Sequence, residues 1–333
     1  LDEDDSRVID LDKLCCEVEV EGNLKEKLLN LREIQSKDPE IQKWILKHPK
    51  EERNLQGYVA RHNREGYPQI IVPKELRRPL IEFYHLAFCH PGLHSNVKLL
   101  KRNFYWPLMQ IEILDYVSRC PLCLMKKKHA IKCIPSTTHI KNECKGQNIF
   151  IDHFGPLPRG HGGKRYIFVI YDGYTKYVKL YLVKRVSTKE VIAALEHYIS
   201  VVGKIENVIS DNASCFISNE YYAKLKRMKI QPKHISAYNP ASNMAEQVIG
   251  RVSNMLRIDM AGQPHNKWVE HMENVERSIN STEHTVTLAT PEELQFEKPI
   301  YDEITELLNI PKDFKQINKM LETACRRTEE QNV

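Results

Sequence analysis

Three acidic residues in the second half of the chain constrain its fold more than any other feature. Asp152 and Asp211 each end a short apolar run, so each lies at a predicted strand end. Glu246 follows the turn-rich segment 238–243 and opens a stretch with the apolar periodicity of a helix. Carboxylates that converge from two strand ends and one helix form an oxygen-rich site suited to Mg²⁺.

The segments around these acids predict a regular order of strands and helices. Ser187 and Glu190 have the spacing of a capping box, which predicts that a helix begins there. Further helices are predicted at about 218–228 and from about 241. Apolar runs bounded by turn residues predict five strands, at 147–153, 165–171, 177–183, 205–210 and 230–235. The order βββαβαβα indicates an α/β domain.

A second group of metal-ligating residues lies upstream. His85, His90, Cys120 and Cys123 offer two nitrogens and two sulfurs, which close a tetrahedral zinc site with no open position. The spacing of His90 and His94 would also suit the two histidine ligands of a zinc site. The surrounding residues have helical apolar stripes, and three short helices form a core so small that a structural metal commonly supports it.

The order and separation of these two groups resemble the integrases of retroviruses and LTR retrotransposons, most closely the gypsy-like group. In that group the second zinc ligand stands in a His-Pro-Gly sequence, here His90-Pro91-Gly92, and an aromatic-Trp-Pro element follows, here Phe104-Tyr105-Trp106-Pro107. This favours His85 and His90 over a pair that includes His94. The resemblance spans roughly residues 25–300 and includes Trp268, Thr290-Pro291 and Lys298-Pro299 towards its end.

The resemblance implies a fold and an activity. The expected fold is an α/β RNase H-like catalytic core, with a mixed five-stranded sheet and helices, preceded by a small all-α HHCC zinc-binding domain. Asp152, Asp211 and Glu246 would be the catalytic residues and would hold two Mg²⁺ (or Mn²⁺) ions. One Zn²⁺ per chain would be bound by His85, His90, Cys120 and Cys123. The expected activity is metal-dependent 3′-end processing and strand transfer, which inserts retroelement cDNA into target DNA, with a nuclear location after a cytoplasmic particle stage.

The sequence also predicts the division of the chain. Of the 333 residues, 41% are hydrophobic, which is enough to build several cores. No apolar run approaches the ~20 residues of a membrane span. A proline-bounded segment at 66–73 is typical of an edge strand. The chain starts with Leu1 rather than Met, which fits a piece cut from a longer polypeptide. We expect an acidic head at 1–24, an N-terminal extension at 25–75, the zinc-binding domain at 76–128, a linker at 129–146, the catalytic core at 147–300 and a helical tail at 301–333.

The expected partners are retroelement DNA ends, target DNA and further copies of the chain. Residues 98–133 hold eight Lys and Arg against two acids, which favours contact with a polyanion. Arg257 shares a predicted helix face with Glu246 and Gly250. This face either lets Arg257 contact phosphate or forms a notch in which another helix packs. The predicted DNA contacts are Lys126, Lys127, Lys128, Arg251 and Arg257. Joining two DNA ends needs two active sites, so we expect a dimer to tetramer.

Some residues depart from the family pattern. Ala213 stands in place of the glycine in the usual Asp-Asn-Gly sequence. Around Glu246 the usual sequence is Asn-Gly-x-x-Glu-Arg, whereas this chain has Met244 after Asn243 and Gln247 after Glu246. These departures leave open a domesticated, catalytically weakened integrase-derived DNA-binding protein. Asp172 is either a fourth acid of the site, as an RNase H-like nuclease without strand transfer would need, or a β-turn residue beside Gly173.

Overall fold

The computed structural model describes residues 22–49, 53–64, 66–126, 142–235, 244–310, 322–324 and 326–327. The predicted acidic head, up to residue 21, and residues 127–141 around the predicted linker lie outside this description. In the described part of the chain, no helix is both long and apolar enough to cross a membrane.

The described part of the chain begins with three short helices, α1 (Gly22–Leu29), α2 (Leu31–Lys37) and α3 (Pro39–Lys47). Asp38 begins α3 because its carboxylate accepts hydrogen bonds from the backbone N–H groups of Glu40 and Ile41. A four-stranded sheet follows, in the order β1-β2-β3-β4. Its strands are β1 (Arg53–Leu55), β2 (Tyr58–His62), β3 (Pro68–Ile71) and β4 (Phe104–Tyr105).

The prediction that segment 66–73 forms an edge strand is wrong. Strand β3 lies inside the sheet, antiparallel to β2 and parallel to β4. The backbone N–H groups of Ile70 and Val72 donate to the carbonyl oxygens of Asn103 and Tyr105. Prolines 68 and 73 flank these two donors, so neither removes an N–H group that the pairing with β4 uses.

Four helices surround the predicted zinc ligands: α4 (Lys74–Ala87), α5 (Leu93–Lys101), α6 (Met109–Arg119) and α7 (Pro121–Lys126). The apolar side chains of α4, α5 and α6 share one core with α1 and α2, through Leu24, Leu28 and Leu31. Ile304 and Leu308, far along the chain, complete the same core. This one core therefore contains residues from the predicted N-terminal extension, zinc-binding domain and tail.

The second half of the described chain forms a mixed five-stranded sheet with strand order β7-β6-β5-β8-β9. Strands β5, β6 and β7 are antiparallel neighbours, whereas β5, β8 and β9 run parallel. The strands are β5 (Asn148–Phe154), β6 (Tyr166–Asp172), β7 (Val178–Val183), β8 (Asn207–Ser210) and β9 (Gln231–His234). The helices are α8 (Thr188–Val202), α9 (Asn219–Met228), α10 (Met244–Asp259), α11 (Met272–Ser281), α12 (Pro291–Phe296) and α13 (Glu303–Leu307).

Helices cover both faces of this sheet. Phe150 and Ile209 face α10, where Val248 and Val252 are buried against them. Ile149 and Ile151, on the other side of the same strand, pack with residues of α8 and α9. The strands are therefore apolar on both faces. The predicted mixed five-stranded sheet with helices, preceded by a helical region, is confirmed.

Candidate active site and zinc centre

Asp152 and Asp211 lie side by side because of the register of two parallel strands. Phe150 of β5 pairs with Ile209 of β8, and each acid follows its paired residue by two positions. Side chains two positions apart in a strand point to the same face. Neighbouring strands lie about 4.8 Å apart, so the two carboxylates extend close together from the face that α10 covers.

Glu246 reaches the same face from α10. It lies in the first turn of this helix, one residue after the fully buried Ala245. Helix α10 packs against β5 and β6, and its residues Val248 and Val252 contact the apolar side chains next to Asp152. Glu246 itself is exposed. Two neighbouring strands and one helix start thus bring the charges of Asp211 and Glu246 near Asp152.

The electrostatics of Asp152 record this grouping. Burial, together with the nearby charges of Asp211 and Glu246, raises the pKa of Asp152 from 3.8 to about 6. The backbone N–H of His153 donates to Asp152 at 2.7 Å and opposes this rise. Because the negative charges of Asp211 and Glu246 disfavour the ionised form of Asp152, the site gains free energy when a cation neutralises these charges.

The turn after Asp211 accepts alanine without strain. The Asp211 carboxylate accepts a hydrogen bond from the backbone N–H of Ala213 at 3.1 Å. Ala213 is not among the described residues with a positive φ angle, so glycine's special conformational freedom is not needed there. The departure at Ala213 from the usual Asp-Asn-Gly pattern therefore leaves the local backbone intact.

Asp172 has the turn role rather than a place among the acids. Its side chain is 1% exposed and accepts hydrogen bonds from the backbone N–H groups of Gly146, Tyr174 and Thr175. These bonds close the turn between β6 and β7 and hold the segment before β5 beside it. The Asp172 carboxylate therefore stabilises the loop through these hydrogen bonds.

The four predicted zinc ligands lie together in the helical region. The ligand atoms of His85, His90, Cys120 and Cys123 are all within 4.8 Å of one another, and all four residues are buried. They form the one such compact group of metal-ligating side chains among the described residues. His94, the alternative ligand, is exposed on α5.

The distances within this group match a tetrahedral zinc site. Nε2 of His85 and Nδ1 of His90 are 3.0 Å apart, and the sulfurs of Cys120 and Cys123 each lie 3.3 Å from one of these nitrogens. Zinc bonds of ~2.0 Å to nitrogen and ~2.3 Å to sulfur would place ligand atoms roughly 3.3–3.8 Å apart. The chain's own packing thus preforms the site.

The chemistry of the group also fits zinc. Contact with Cys123, and then with the two histidines, holds the pKa of the Cys120 thiol well below its usual range, although burial opposes this. The thiolate is the form that binds a metal. The Asn96 side chain lies 3.0 Å from Nδ1 of His85, the nitrogen that points away from the cluster, and holds that ring in place.

The predicted DNA contacts are scattered. Lys126 ends α7, and Lys127 and Lys128 lie outside the described residues. Arg251 and Arg257 both lie on α10, where Arg251 is exposed and Arg257 donates to Asn254 at 3.2 Å. An added Cβ at Gly250 would meet nothing within 4 Å, so this face of α10 is open rather than a packing notch.

Two features near the sites escaped the sequence analysis. The first is the hairpin of β1 and β2, signalled only by the alternation after Gly57. The second is His153, whose ring lies beside Phe168 and stacks on Phe216, with centroid distances of 4.7 and 5.4 Å. Both ring nitrogens of His153 are buried without a hydrogen-bond partner, and burial lowers its pKa to about 4. A neutral His153 therefore packs among aromatic side chains on the sheet face opposite Asp152.

Comparison with known proteins agrees with this geometry. Residues 142–240 match the integrase core domain family, and residues 72–129 match the integrase zinc binding domain family. The Pro-Pol polyprotein of feline foamy virus is 26% identical over 235 residues, which cover 70% of this chain and 20% of that polyprotein. The Transposon Tf2-3 polyprotein of Schizosaccharomyces pombe is 26% identical over 234 residues, covering 68% and 17%. The chain spans about a fifth of the length of these relatives.

Solved structures of integrases are similar as well. The simian T-cell lymphotropic virus intasome, solved in complex with PP2A regulatory subunit B56 gamma, aligns with a TM-score of 0.45 and 19% identity, over 69% of this chain and 76% of that chain. The HTLV-2 integrase catalytic core domain in complex with magnesium (trimeric form) aligns with a TM-score of 0.40 and 17% identity, over 46% and 99%.

The fold and the sites together define an α/β core with a mixed five-stranded sheet, joined to a helical region that holds a compact group of two His and two Cys side chains. The chain carries the integrase core domain and the integrase zinc binding domain, and its relatives are foamy-virus and Tf2 retroelement polyproteins. The resemblance predicted from the sequence is confirmed.

Proposed function

We propose that this chain is an integrase that processes the 3′ ends of retroelement cDNA and transfers them into target DNA. The observation that carries the proposal is the convergence of Asp152, Asp211 and Glu246 on one sheet face beside α10. Two Mg²⁺ (or Mn²⁺) ions held by these carboxylates would activate the attacking oxygen and stabilise the leaving oxygen at phosphorus.

The protein's own part in this reaction is to position groups. Asp152 is fixed by its place inside β5, and Asp211 by the strand beside it. In the first step, a water oxygen bonds to a phosphorus near the DNA end and the 3′ oxygen leaves as a hydroxyl. In the second step, that 3′ hydroxyl oxygen bonds to a target phosphorus and displaces the target's own 3′ oxygen. No covalent bond to the protein is needed, so rate enhancement rests on orientation and charge stabilisation.

A strand-transfer assay with Mg²⁺ and matched terminal DNA tests the proposal. Asp152→Asn and Glu246→Gln should each abolish hydrolysis and strand transfer while DNA binding remains. Glu220→Gln, an exposed acid in the first turn of α9, is the matched control and should retain activity. Strand transfer at a near wild-type rate by either active-site variant would contradict the assignment.

The proposed reaction also sets the assembly and its location. One chain supplies a single set of the three acids, and joining two DNA ends needs two sets at a fixed separation. We expect a dimer to tetramer on DNA, measurable by light scattering of the complex; full activity from a single chain would refute it.

A nuclear site of action, reached from a cytoplasmic particle, is part of the same proposal and is testable by imaging a tagged chain.

A further inference from the structure

An open cavity of about 500 Å³ lies on the N-terminal sheet, where residues before position 72 meet Lys101 and Tyr105 of the region that matches the integrase zinc binding domain family. It is formed by the end of β2, by β3, by β4 and by the last residue of α5. The side chains that line it are cationic, amide or aromatic, and none is acidic: Arg61, Asn63, Arg64, Gln69, Lys101 and Tyr105.

Arg61 is held in a fixed position within this cavity. Its guanidinium carbon lies 3.2 Å from the ring centroid of Tyr105. Its Nε and Nη2 atoms both donate to Oε1 of Gln69, at 3.2 Å each. Gln69 is 3% exposed, and its own amide donates to the backbone carbonyl oxygen of Lys101. A guanidinium fixed in this way loses little conformational freedom when it binds an anion.

No acidic side chain among the described residues neutralises the charge in the cavity. Lys98 and Arg102, on either side of Lys101 along the chain, form ion pairs with Glu283 and Glu293. In contrast, Arg61, Arg64 and Lys101 form no ion pair with any described residue. Glu65, next to Arg64 in the sequence, lies outside the described residues. Three cations without an ion-pair partner in the described part of the chain lie within one cavity, and together they create a positive local potential.

We infer that this cavity binds backbone phosphates of DNA. A planar guanidinium, a mobile ammonium and side-chain amides together match the oxygens of a phosphodiester. Because the cavity is open to solvent, a continuous strand can pass through it. The inference rests on the proposed function only in naming DNA as the polyanion. It gives the N-terminal sheet, together with Lys101 and Tyr105 of the matched zinc binding region, a part in holding DNA.

The test compares two double variants of the full chain. Arg64→Gln/Lys101→Gln removes two exposed cations of the cavity and leaves the packed Arg61 in place. Lys226→Gln/Arg227→Gln, at the exposed end of α9, removes the same charge elsewhere. Both are made in the Asp152→Asn background, so that DNA is bound but not processed. Fluorescence anisotropy with duplex DNA over a salt series gives the slope of log K against log salt.

Each lost phosphate contact should reduce this slope by about 0.9, so the cavity variant should lose about 2 and the control should match its parent. In a second measurement, duplex DNA should protect Lys101 from an amine-reactive label, whereas poly-glutamate of equal charge should not. An unchanged slope in the cavity variant, equal labelling of Lys101 with and without DNA, or equal protection by poly-glutamate would overturn the inference. Strand transfer by the wild-type chain is measured separately, so its absence contradicts the proposed function without altering the slope result.

Discussion

Arg102, which directly follows α5, donates a hydrogen bond to Glu293 of α12, whose side chain is completely buried. Burial disfavours the charged form of Arg102, but the ion pair and hydrogen bond with Glu293 raise its pKa above the ordinary value. The same carboxylate caps α12 through Thr290. This pair joins the helical zinc-binding region to the catalytic core by a charged contact shielded from water.

Glu293→Gln should destabilise the protein by about 3 kcal/mol, because it leaves the cation of Arg102 without its partner in a shielded place. Chemical denaturation measures this change. Glu297→Gln, which breaks the exposed pair of Glu297 with Lys145, is the control and should have little effect. Equal stability of the two variants would show that the Arg102–Glu293 contact does not hold the regions together.

Asp152→Asn should stabilise the metal-free protein at pH 7.5 by about 1–2 kcal/mol, after allowance for solvent screening of a partly exposed group. The pKa of Asp152 is raised from 3.8 to about 6, so the folded state holds a proton that the unfolded state releases between these values. Stability of the wild type therefore falls as pH rises from about 4 to 6, and the variant lacks this loss.

Thermal melts of both proteins in chelator, at pH 4 and pH 7.5, check this expectation. The two melting temperatures should agree at the lower pH and diverge at the higher one. Added Mg²⁺ should stabilise the wild type more than the variant. A variant that is less stable than the wild type at pH 7.5 would show that Asp152 is not under electrostatic strain.

Cys120→Ser should reduce bound zinc from one ion per chain to nearly none, because a closed four-ligand site loses a thiolate. Loss of the metal should also lower helical content, since the site joins the end of α4 to α7. Metal analysis and circular dichroism measure both changes. Cys144→Ser, at an exposed thiol away from the cluster, should retain zinc; equal zinc content in the two variants would refute the site.

Leu122→Ala should destabilise the protein by about 2–4 kcal/mol, because Leu122 is fully buried against Ile258 and Ala261 at the end of α10. Leu124→Ala on the same helix is the control, since that side chain is 69% exposed. Hydrogen exchange should show faster opening along α10 in the first variant only. Unchanged exchange in α10 would mean that α7 and α10 are energetically separate.

The fold of the integrase core domain was predictable because its signals are local. Apolar runs of strand length and the capping box at Ser187 lie within a few residues of each other, and Ser187 accepts the hydrogen bond from Glu190 that the box requires. The approach of Asp152 to Asp211 followed from parallel neighbouring strands. The four zinc ligands were recognisable from residue type and spacing.

The rest depended on contacts between distant residues. The central position of β3 is set by Asn103 and Tyr105, which the sequence around 66–73 does not reveal. Lys98 and Arg102 counted as cations for DNA, but acids nearly 200 residues away pair with them. Not every apolar residue of the predicted helical stripes is buried: Ile111 and Leu114 are 62% and 48% exposed, because α6 turns that side to solvent.

The core shared by the first helices and Ile304 sets an order of events during synthesis. Tyr84 donates a hydrogen bond to Asp302, 218 residues later in the chain. Closing a loop of that length costs about 5 kcal/mol of chain entropy, which only the finished contact offsets. The zinc-binding region leaves the ribosome first, yet its core stays incomplete until α13 has been made. Its final packing is thus a late step in folding. Cleavage just before α13 would leave the core of the zinc-binding region exposed where Ile304 and Leu308 pack.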